Sequence, residues 1–272
     1  MLMRKTFEQI SSLIYDYSGM ILDEKKIFYL EHRIKEHMKE LGINSIKDYL
    51  ILIKKDKEYL RELVSKSTVN ETYFYREFHQ LQAFGEILLP KTANIKERIR
   101  ILSIPCSSGE EVYTLAIVCN EILGSLRKIE IWGVDIDYKV LLAAKKGIYG
   151  ERSLSHLPEN YINKYFNSLS HKEWEIKPFL KTRVRFKEGN ILDYDFVKSL
   201  GLFDFIFCRN LLIYFDDKAR KRAALNLYQI LSPSGYLFLG HAESLSKICS
   251  LFLPTKVGEA ICYIKVEEEE EI

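Results

Sequence analysis

The sequence predicts two kinds of fold in one chain: an all-helical module, followed by an α/β domain built on a mostly parallel sheet. Up to about residue 95, apolar residues recur at the three- and four-residue spacing of amphipathic helices. Beyond that point, short apolar runs alternate with helical patterns, as expected when helices cover both faces of a parallel sheet. The apolar runs are RILSIP (100–105), IEIWGVD (129–135), RVRFKE (183–188), FDFIFC (203–208), YLFLG (236–240) and ICYIKV (261–266).

The helical module shows its start and stop signals clearly. Apolar residues in 27–41 share one helical face, and the pattern ends at Gly42, a residue type that readily ends a helix in the left-handed conformation. A second such pattern over 46–64 follows Ser45, which is, with Asn44, a candidate N-cap. We therefore expect a helical first third of the chain.

Three segments follow from these patterns. We expect a helical domain at 1–80, a linker at 81–94 and an α/β domain at 95–272. Residues 151–188 interrupt the α/β pattern. Within them, PENYINKYF resembles a short helix, and HKEWEIKPFLKTRVRF has the alternation of a hairpin that leads into the next strand.

Composition excludes several classes of protein. The 272 residues are 47% hydrophobic and 29% charged, and a formal net charge of +2 gives no global argument for nucleic-acid binding. No secretory signal and no apolar run long enough to span a bilayer is present, so we expect no membrane insertion. The five cysteines are scattered without a CxxC pair, which favours a cytoplasmic protein in a reducing compartment.

The first predicted strand ends in PCSSGEEVYTLAI, at the edge where parallel sheets bind their ligands. Gly109 permits close approach of the backbone, but one glycine is not the GxGxxG pattern of dinucleotide sites. Glu110 and Glu111 would repel a pyrophosphate and suit a ligand that carries an amino group. Stabilisation of the helix dipole is the alternative for either glutamate taken alone.

Three further strand ends carry polar residues. Asp135 stands where a carboxylate can accept both hydroxyls of a ribose, whereas Asp137 fits the cap of the following helix. Asn190 follows the next strand, where its amide could read an adenine edge or simply form a turn. After the apolar run 203–208 come Arg209, Asn210 and Tyr214. A ligand with an amino group, a ribose and an adenine but no phosphate is S-adenosylmethionine.

Five motifs occur in order behind the helical module: NETYFYRE (70–77), IPCSSGEEVYTLAI (104–117), GVDID (133–137), FCRNLLIYFD (207–216) and LSPSGYLFLGHAESL (231–245). Together they resemble the CheR-type chemotaxis receptor protein-glutamate O-methyltransferases, over nearly the whole chain. NETYFYR combined with CRNxxIYF is the most specific part of this resemblance. It implies a class I S-adenosylmethionine-dependent methyltransferase fold: Rossmann-like α/β with a mostly parallel seven-stranded sheet, an N-terminal all-helical domain and a small inserted β-subdomain.

The resemblance also implies the site residues. Arg76 and Tyr214 match the pair expected near the transferred methyl group. Tyr73, Phe74 and Tyr75 would line the site or, as the alternative, pack the two modules together. We expect S-adenosylhomocysteine as the product and no metal, because the six histidines lack metal-ligand spacing. The implied cofactor contacts are Asn70, Thr72, Arg76, Glu111 (with Glu110 as the alternative), Asp135, Asn190, Ile191, Asn210 and Leu211.

The implied reaction explains this choice of residues. A receptor glutamate, with an unperturbed pKa of about 4.3, is already ionised at neutral pH, so its attack on a sulfonium methyl needs no general base. The enzyme must align the reacting atoms and exclude water. Arg76 could hold the acceptor carboxylate or line the cofactor pocket. Tyr214 could hydrogen-bond near the departing sulfur or near the incoming oxygen, and the sequence leaves these roles open.

The helical module carries a basic helix at 24–41. Between Lys25 and Lys39 there are five Lys or Arg residues against two acids, and Lys26, Arg33 and His37 fall along one line. Because the methylation segments of receptors are acidic coiled coils, this helix would attract them electrostatically, as the resemblance also implies. The alternative is an ordinary solvated helix face.

Other partners and functions stay open at this point. In some members of the family, the β-subdomain binds a C-terminal receptor pentapeptide by strand addition, and our default expectation is that this chain does not. We expect a monomer that binds no nucleic acid. One alternative is a methyltransferase of the same fold that acts on another protein or on a small molecule. Another is a non-catalytic, cofactor-binding regulator.

Overall fold

The computed structural model describes residues 2–21, 24–246 and 248–266, and within these ranges the side chains of 2–4 and 24–27 are outside the description. The chain divides into two compact units. The first comprises Met1–Val69 with Tyr214–Ala219, and the second comprises Asn70–Ile213 with Arg220–Ile272.

The first unit is helical, as predicted. It contains α1 (Leu2–Ser18), α2 (Glu24–Glu40), α3 (Ile46–Lys55) and α4 (Lys57–Ser67). The Ser45 hydroxyl caps α3 by accepting the Asp48 backbone N–H at 3.4 Å, and Asp56 caps α4 in the same way. The core between the helices is formed by Ile10, Ile14, Leu30, Ile34, Tyr49, Ile53, Leu60 and Leu63.

His37 corrects the predicted basic face of α2. It is fully buried, with Nδ1 at 2.8 Å from the Tyr49 hydroxyl and Nε2 at 3.0 Å from Glu62 Oε2. Position 37 follows the buried Ile34 by three residues, so it lies on the apolar face of the helix. The two hydrogen bonds compensate for the burial of the polar ring. Arg33 remains partly exposed and pairs with Glu36, whereas the side chains of Lys25 and Lys26 lie outside the described residues.

The second unit contains strands and helices in alternation. The strands are β1 (Ile99–Ser103), β2 (Ile129–Asp135), β3 (Ile148–Gly150), β4 (Phe166–Ser170), β5 (Glu173–Ile176), β6 (Val184–Glu188), β7 (Phe203–Cys208), β8 (Leu231–Leu239), β9 (Phe252–Val257) and β10 (Ala260–Lys265). The helices are α5 (Phe78–Gln82), a π-helical segment (Ala83–Leu88), α6 (Leu89–Ile95), α7 (Glu110–Leu123), α8 (Tyr138–Lys146), α9 (Glu151–Leu154), α10 (Glu159–Tyr165), α11 (Pro178–Lys181), α12 (Tyr194–Ser199), a 3-10 turn (Leu212–Tyr214) and α13 (Asp217–Ile230). The last residue of the 3-10 turn and residues 217–219 of α13 belong to the first unit.

The main sheet has seven strands in the order β6-β2-β1-β7-β8-β10-β9. Parallel pairing joins β6, β2, β1, β7 and β8, and antiparallel pairing joins β10 to β8 and to β9. The predicted fold class, a mostly parallel seven-stranded sheet behind an all-helical domain, is therefore confirmed. All six residues of β7 are buried, which explains why five of them are apolar; the exception, Asp204, accepts the Arg100 backbone N–H at 2.8 Å.

The inserted segment forms a separate antiparallel sheet in the order β3-β5-β4. The helix predicted in PENYINKYF is α10. The hairpin predicted in HKEWEIKPFLKTRVRF is not formed within that segment. Its first strand, β5, pairs with the preceding β4, whereas β6 pairs in parallel with β2 in the main sheet. The short helix α11 separates β5 from β6 and prevents them from forming a hairpin.

Residues 81–94, predicted as a linker, instead lie in the helical run from α5 to α6. Leu81, Phe84, Leu88 and Leu89 are buried, and the Phe84 ring packs edge-on against Phe205 at 4.9 Å between centroids. The segment is therefore part of the core of the second unit. None of the described helices is long and apolar enough to cross a membrane.

Candidate functional site

The carboxyl ends of β2, β1, β7 and β8 are neighbours along one edge of the main sheet. Ser103 at the end of β1 pairs in register with Gly133 of β2 and with Phe207 of β7, and Cys208 pairs with Leu239 of β8. Residues that follow these strands are therefore brought together although they are far apart in the sequence. The predicted site residues of the second unit are arranged around this edge.

Helix α7 begins directly after the first strand end and carries both candidate glutamates. Its N-cap, Gly109, has φ 92°, and a Cβ there would lie 2.9 Å from the Ala144 Cβ, so only glycine fits. Glu110 is buried and accepts the hydroxyls of Ser108 and Ser153; burial raises the pKa of its carboxyl. Glu111 accepts the Ser103 hydroxyl at 2.8 Å through Oε1.

Asp135 is 4% exposed at the end of β2. Its Oδ2 accepts the Ser107 backbone N–H at 2.8 Å, and its Oδ1 accepts that of Asp137 at 2.9 Å. Burial raises the pKa of Asp135 to about 6, although these backbone hydrogen bonds oppose the shift. The carboxylate thus joins the loops that follow β1 and β2.

Asp137 caps helix α8, as predicted, because its Oδ1 accepts the Lys139 backbone N–H at 2.9 Å. Its other oxygen, Oδ2, accepts a hydrogen bond from Asn70 Nδ2 at 3.0 Å. Through this contact the start of the NETYFYRE segment is held to the loop after β2. Asn70 and Asp135 are therefore both hydrogen-bonded to Asp137, Asn70 to its side chain and Asp135 to its backbone N–H.

The NETYFYRE segment has an irregular backbone. Tyr75 and Glu77 have φ of 61° and 57°, a left-handed conformation that is uncommon outside glycine. Arg76 donates from Nη1 to the Glu71 carbonyl at 2.8 Å, and its guanidinium lies over the Tyr73 ring. These contacts are local and leave most of the five guanidinium donors for another group. Thr72 in this segment is half-buried.

The aromatic residues of this segment differ in their roles. Phe74 is completely buried, and its ring contacts Tyr149 and Phe166 at 4.9 and 5.2 Å between centroids. It is therefore a core residue. Tyr75 is half-buried, and its ring lies 5.8 Å from that of Tyr161 between centroids. Its backbone N–H donates a hydrogen bond to the Thr114 hydroxyl.

Arg209 connects three parts of the site, and no sequence pattern assigned it this role. Its side chain is 3% exposed and ion-paired with Glu111, with Nε at 2.5 Å from Oε2. Its Nη1 donates to the backbone carbonyl of Arg76 at 2.9 Å. The only available signal was an arginine directly after a buried strand that is apolar except for Asp204, since a cation at such a position requires a buried partner.

The two asparagine positions have clear backbone functions. Asn190 Oδ1 accepts the Leu192 N–H at 2.8 Å, which is the turn-forming role, and Ile191 is buried. Asn210 has φ 59°, and its backbone N–H donates to Glu243, a second residue to which the sequence assigned no role. Leu211 is half-buried. Tyr214 falls in the first compact unit, where its carbonyl accepts the Ile21 N–H at 2.9 Å.

One buried polar atom at this edge fits a polar ligand. Ser107 lies between the ends of β1 and β2, and its Oγ is buried without a hydrogen-bond partner among the described residues. Buried hydroxyls are normally paired, so this atom indicates a ligand group that completes the site. In the part of the chain that the structure describes, no cluster of three or more His, Cys, Asp or Glu residues could hold a metal ion.

Residues 70–260 match the family model of the CheR methyltransferase SAM-binding domain, and residues 5–68 match that of the CheR methyltransferase all-alpha domain. The chain belongs to the CheR methyltransferase family. The predicted family resemblance is confirmed, and with it the enzyme class: a methyltransferase that uses S-adenosylmethionine.

Named relatives match this CheR-family chain over most of its length. It is 36% identical to chemotaxis protein methyltransferase 2 of Vibrio cholerae, over 95% of this chain and 92% of the relative. It is 36% identical to the chemotaxis protein methyltransferase of Borreliella burgdorferi, over 87% of both chains. Chemotaxis protein methyltransferase 1 of Pseudomonas aeruginosa is 32% identical, over 94% of this chain and 96% of the relative.

Proposed function

We propose that this CheR-family chain transfers a methyl group from S-adenosylmethionine to glutamate carboxylates of chemoreceptors, with a glutamate methyl ester and S-adenosylhomocysteine as products. The observation that carries the proposal is the grouping of Asp135, Glu111 and the NETYFYRE segment at one edge of the sheet. Asp137 connects Asp135 to this segment by hydrogen bonds, and Arg209 connects Glu111 to it. The named chemotaxis relatives support the receptor as the acceptor.

Two parts of the cofactor, the ribose and the amino group, have a suitable carboxylate in this chain. The ribose hydroxyls suit Asp135, which keeps acceptor capacity beyond its backbone contacts. For the amino group we favour Glu111 over Glu110, because burial raises the pKa of the Glu110 carboxyl and so opposes its charged form, whereas Glu111 is already paired with a cation, Arg209. The remaining proposed contacts are Asn70, Thr72, Arg76, Asn190, Ile191, Asn210 and Leu211.

Positioning would carry most of the catalysis. When bound, S-adenosylmethionine supplies a methyl group on a positively charged sulfur, and the acceptor glutamate is already ionised, so no residue has to remove a proton. Arg76 has guanidinium donors with which to orient the acceptor carboxylate in line with that methyl group. Tyr214 would hydrogen-bond near the sulfur or the attacking oxygen. Closely packed walls would exclude water, which favours the neutralisation of the two charges.

The helical domain would face the receptor. We place the receptor-facing surface in the domain predicted at 1–80, on helix α2, where the partly exposed Arg33 would attract acidic methylation helices. The β-subdomain has β4 as an edge strand, to which a pentapeptide could be added, but we expect no such binding as the default. A monomer in the cytoplasm that binds no nucleic acid and no metal fits this function.

The acceptor is tested by incubating the protein with methyl-labelled S-adenosylmethionine and a chemoreceptor cytoplasmic fragment. We expect label in the fragment, and we expect it to disappear when the acidic methylation residues of the fragment are changed to Ala. Label that persists in the Ala fragment would overturn glutamate as the acceptor. An absence of label despite tight binding of S-adenosylhomocysteine would favour the alternatives, another acceptor or a non-catalytic regulator.

A further inference from the structure

Glu243 follows β8 and reaches back to the loop that follows β7. Its half-buried carboxylate accepts hydrogen bonds from four backbone N–H groups. Oε2 accepts those of Asn210 and Gly240, both at 2.7 Å, and Oε1 accepts those of Leu212 at 2.6 Å and Ile213 at 3.3 Å. An ionised carboxylate has about four lone-pair sites, so these donors use its full capacity.

The loop after β7 needs such a partner because it leaves the sheet abruptly. The strand ends at Cys208, and Asn210 already has the left-handed φ of 59°. A left-handed conformation is unfavourable for a residue with a side chain, so surrounding contacts must hold it in place. Charge-assisted hydrogen bonds are the strong ones among protein hydrogen bonds, and Glu243 supplies them on both sides of this turn.

Gly240 shows how closely the two strand ends approach each other. A Cβ at this position would lie 2.7 Å from Glu243 Oε2, 2.8 Å from the Asn210 backbone nitrogen and 2.9 Å from Asn210 Nδ2. Any side chain at position 240 would therefore displace both the carboxylate and Asn210. The position of Asn210 depends on the end of β8 as well as on its own strand.

We propose that Glu243 is a positioning residue for cofactor binding, which holds Asn210 and Leu211 in the conformation that contacts S-adenosylmethionine. Leu211 lies between Asn210 and Leu212, whose backbone N–H groups both donate to Glu243, so its position is fixed from both sides. The inference rests on the proposed cofactor contacts of Asn210 and Leu211. It requires no contact between Glu243 and the cofactor.

The test is Glu243→Gln, which turns one acceptor oxygen into a donor that faces two N–H groups. We expect the KM for S-adenosylmethionine and the Kd for S-adenosylhomocysteine, measured by calorimetry, to rise about tenfold or more, with the KM for the receptor fragment unchanged. Glu243→Asp, which keeps the charge, should recover part of the affinity. Glu97→Gln is the matched control, because its side chain is 96% exposed, and it should behave as the unmodified protein.

The inference would be overturned if the KM and Kd values for the cofactor were unchanged and kcat fell only in proportion to the fraction of protein that is folded. Glu243 would then be a structural residue. If Glu243→Gln does not fold, Gly240→Ala disturbs the same contacts and carries the same expectation. Calorimetry separates this test from the proposed function. A protein that binds S-adenosylhomocysteine but methylates no receptor still shows whether Glu243 controls cofactor affinity.

Discussion

Arg209 and Glu111 form a buried ion pair that joins the end of β7 to the start of α7. The side chains are 3% and 12% exposed, and Arg209 Nε lies 2.5 Å from Glu111 Oε2. Arg209 also holds the Arg76 carbonyl, so a single guanidinium fixes two proposed cofactor residues. The pair is therefore important both for the fold of this edge and for the geometry of the site.

Arg209→Ala should destabilise the protein strongly. It leaves the Glu111 carboxylate buried without its cation, and breaking a buried pair from one side costs about 3 kcal/mol or more in the free energy of unfolding. Arg209→Met combined with Glu111→Gln should recover much of this loss, because no unpaired charge remains. Denaturant unfolding provides the measurement, with Lys35→Ala, which breaks an exposed pair with Glu31, as a control of little effect. Equal stability of the single and double variants would contradict this explanation.

Arg76→Ala should lose activity and keep stability. The side chain contacts only its own segment, through the Glu71 carbonyl and the Tyr73 ring, among the contacts that the structure describes. We expect kcat/KM to fall about 100-fold or more, because an oriented donor at the reaction centre is lost, with little change in Tm. Arg152→Ala is the control, since Arg152 is an exposed arginine that pairs with Glu71. A parallel loss of turnover and stability would make Arg76 a structural residue.

Cofactor binding should weaken as the pH falls through about 6. Burial raises the pKa of Asp135 to about 6, and its protonation removes an acceptor for the ribose hydroxyls. The sign of the stability effect is opposite. Because the folded pKa lies above the unfolded value of 3.8, this carboxyl favours folding most at low pH, and that contribution is lost as the pH rises towards 6. Unfolding through Asp135 therefore does not explain the loss of affinity.

Calorimetric titration of S-adenosylhomocysteine between pH 5 and pH 8 tests this pH dependence. The protein should show a rising Kd below about pH 6. Asp135→Asn should bind weakly because it lacks the carboxylate that accepts the ribose hydroxyls, and its affinity should stay the same across the whole range because an amide does not titrate. An affinity that does not change with pH, in a protein that remains folded, would argue against a ribose contact by Asp135.

Charge reversal on α2 tests electrostatic attraction of the receptor. Arg33→Glu should lower kcat/KM for the receptor fragment at low salt, with little effect on the affinity for S-adenosylhomocysteine, and added salt should reduce the difference. Lys145→Glu on α8 changes the net charge by the same amount at an exposed position of the second unit, and is the control. A defect that is independent of salt would exclude long-range attraction as its cause.

Local patterns predicted most of the fold. The sequence predicts the buried strand β7 and the capped helix α3 because the signals for each, apolar residues in β7 and a cap residue with apolar periodicity in α3, lie within one short segment. Strand β9 escaped prediction because Pro254 interrupts it and half of its residues are exposed. Because β9 is an edge strand of the sheet, it tolerates a proline that an interior strand would not.

Contacts between distant residues account for what the sequence did not reveal. Arg209 lies 98 residues from Glu111, and Asn210 lies 33 residues from Glu243, so no spacing rule connects them. His37 was misplaced because its burial depends on Tyr49 and Glu62 in two other helices. Motifs at strand ends indicated which segments meet, but not which side chains hold the segments together.

The most direct test of the central claim is the chemical nature of the bond that the protein forms. After incubation with methyl-labelled S-adenosylmethionine, the receptor fragment is isolated and treated with mild alkali, and volatile label is collected. We predict release of the label as methanol, since a glutamate methyl ester hydrolyses under these conditions. Label that stays on the fragment through alkali would show transfer to nitrogen or to another stable position, and would contradict glutamate O-methylation.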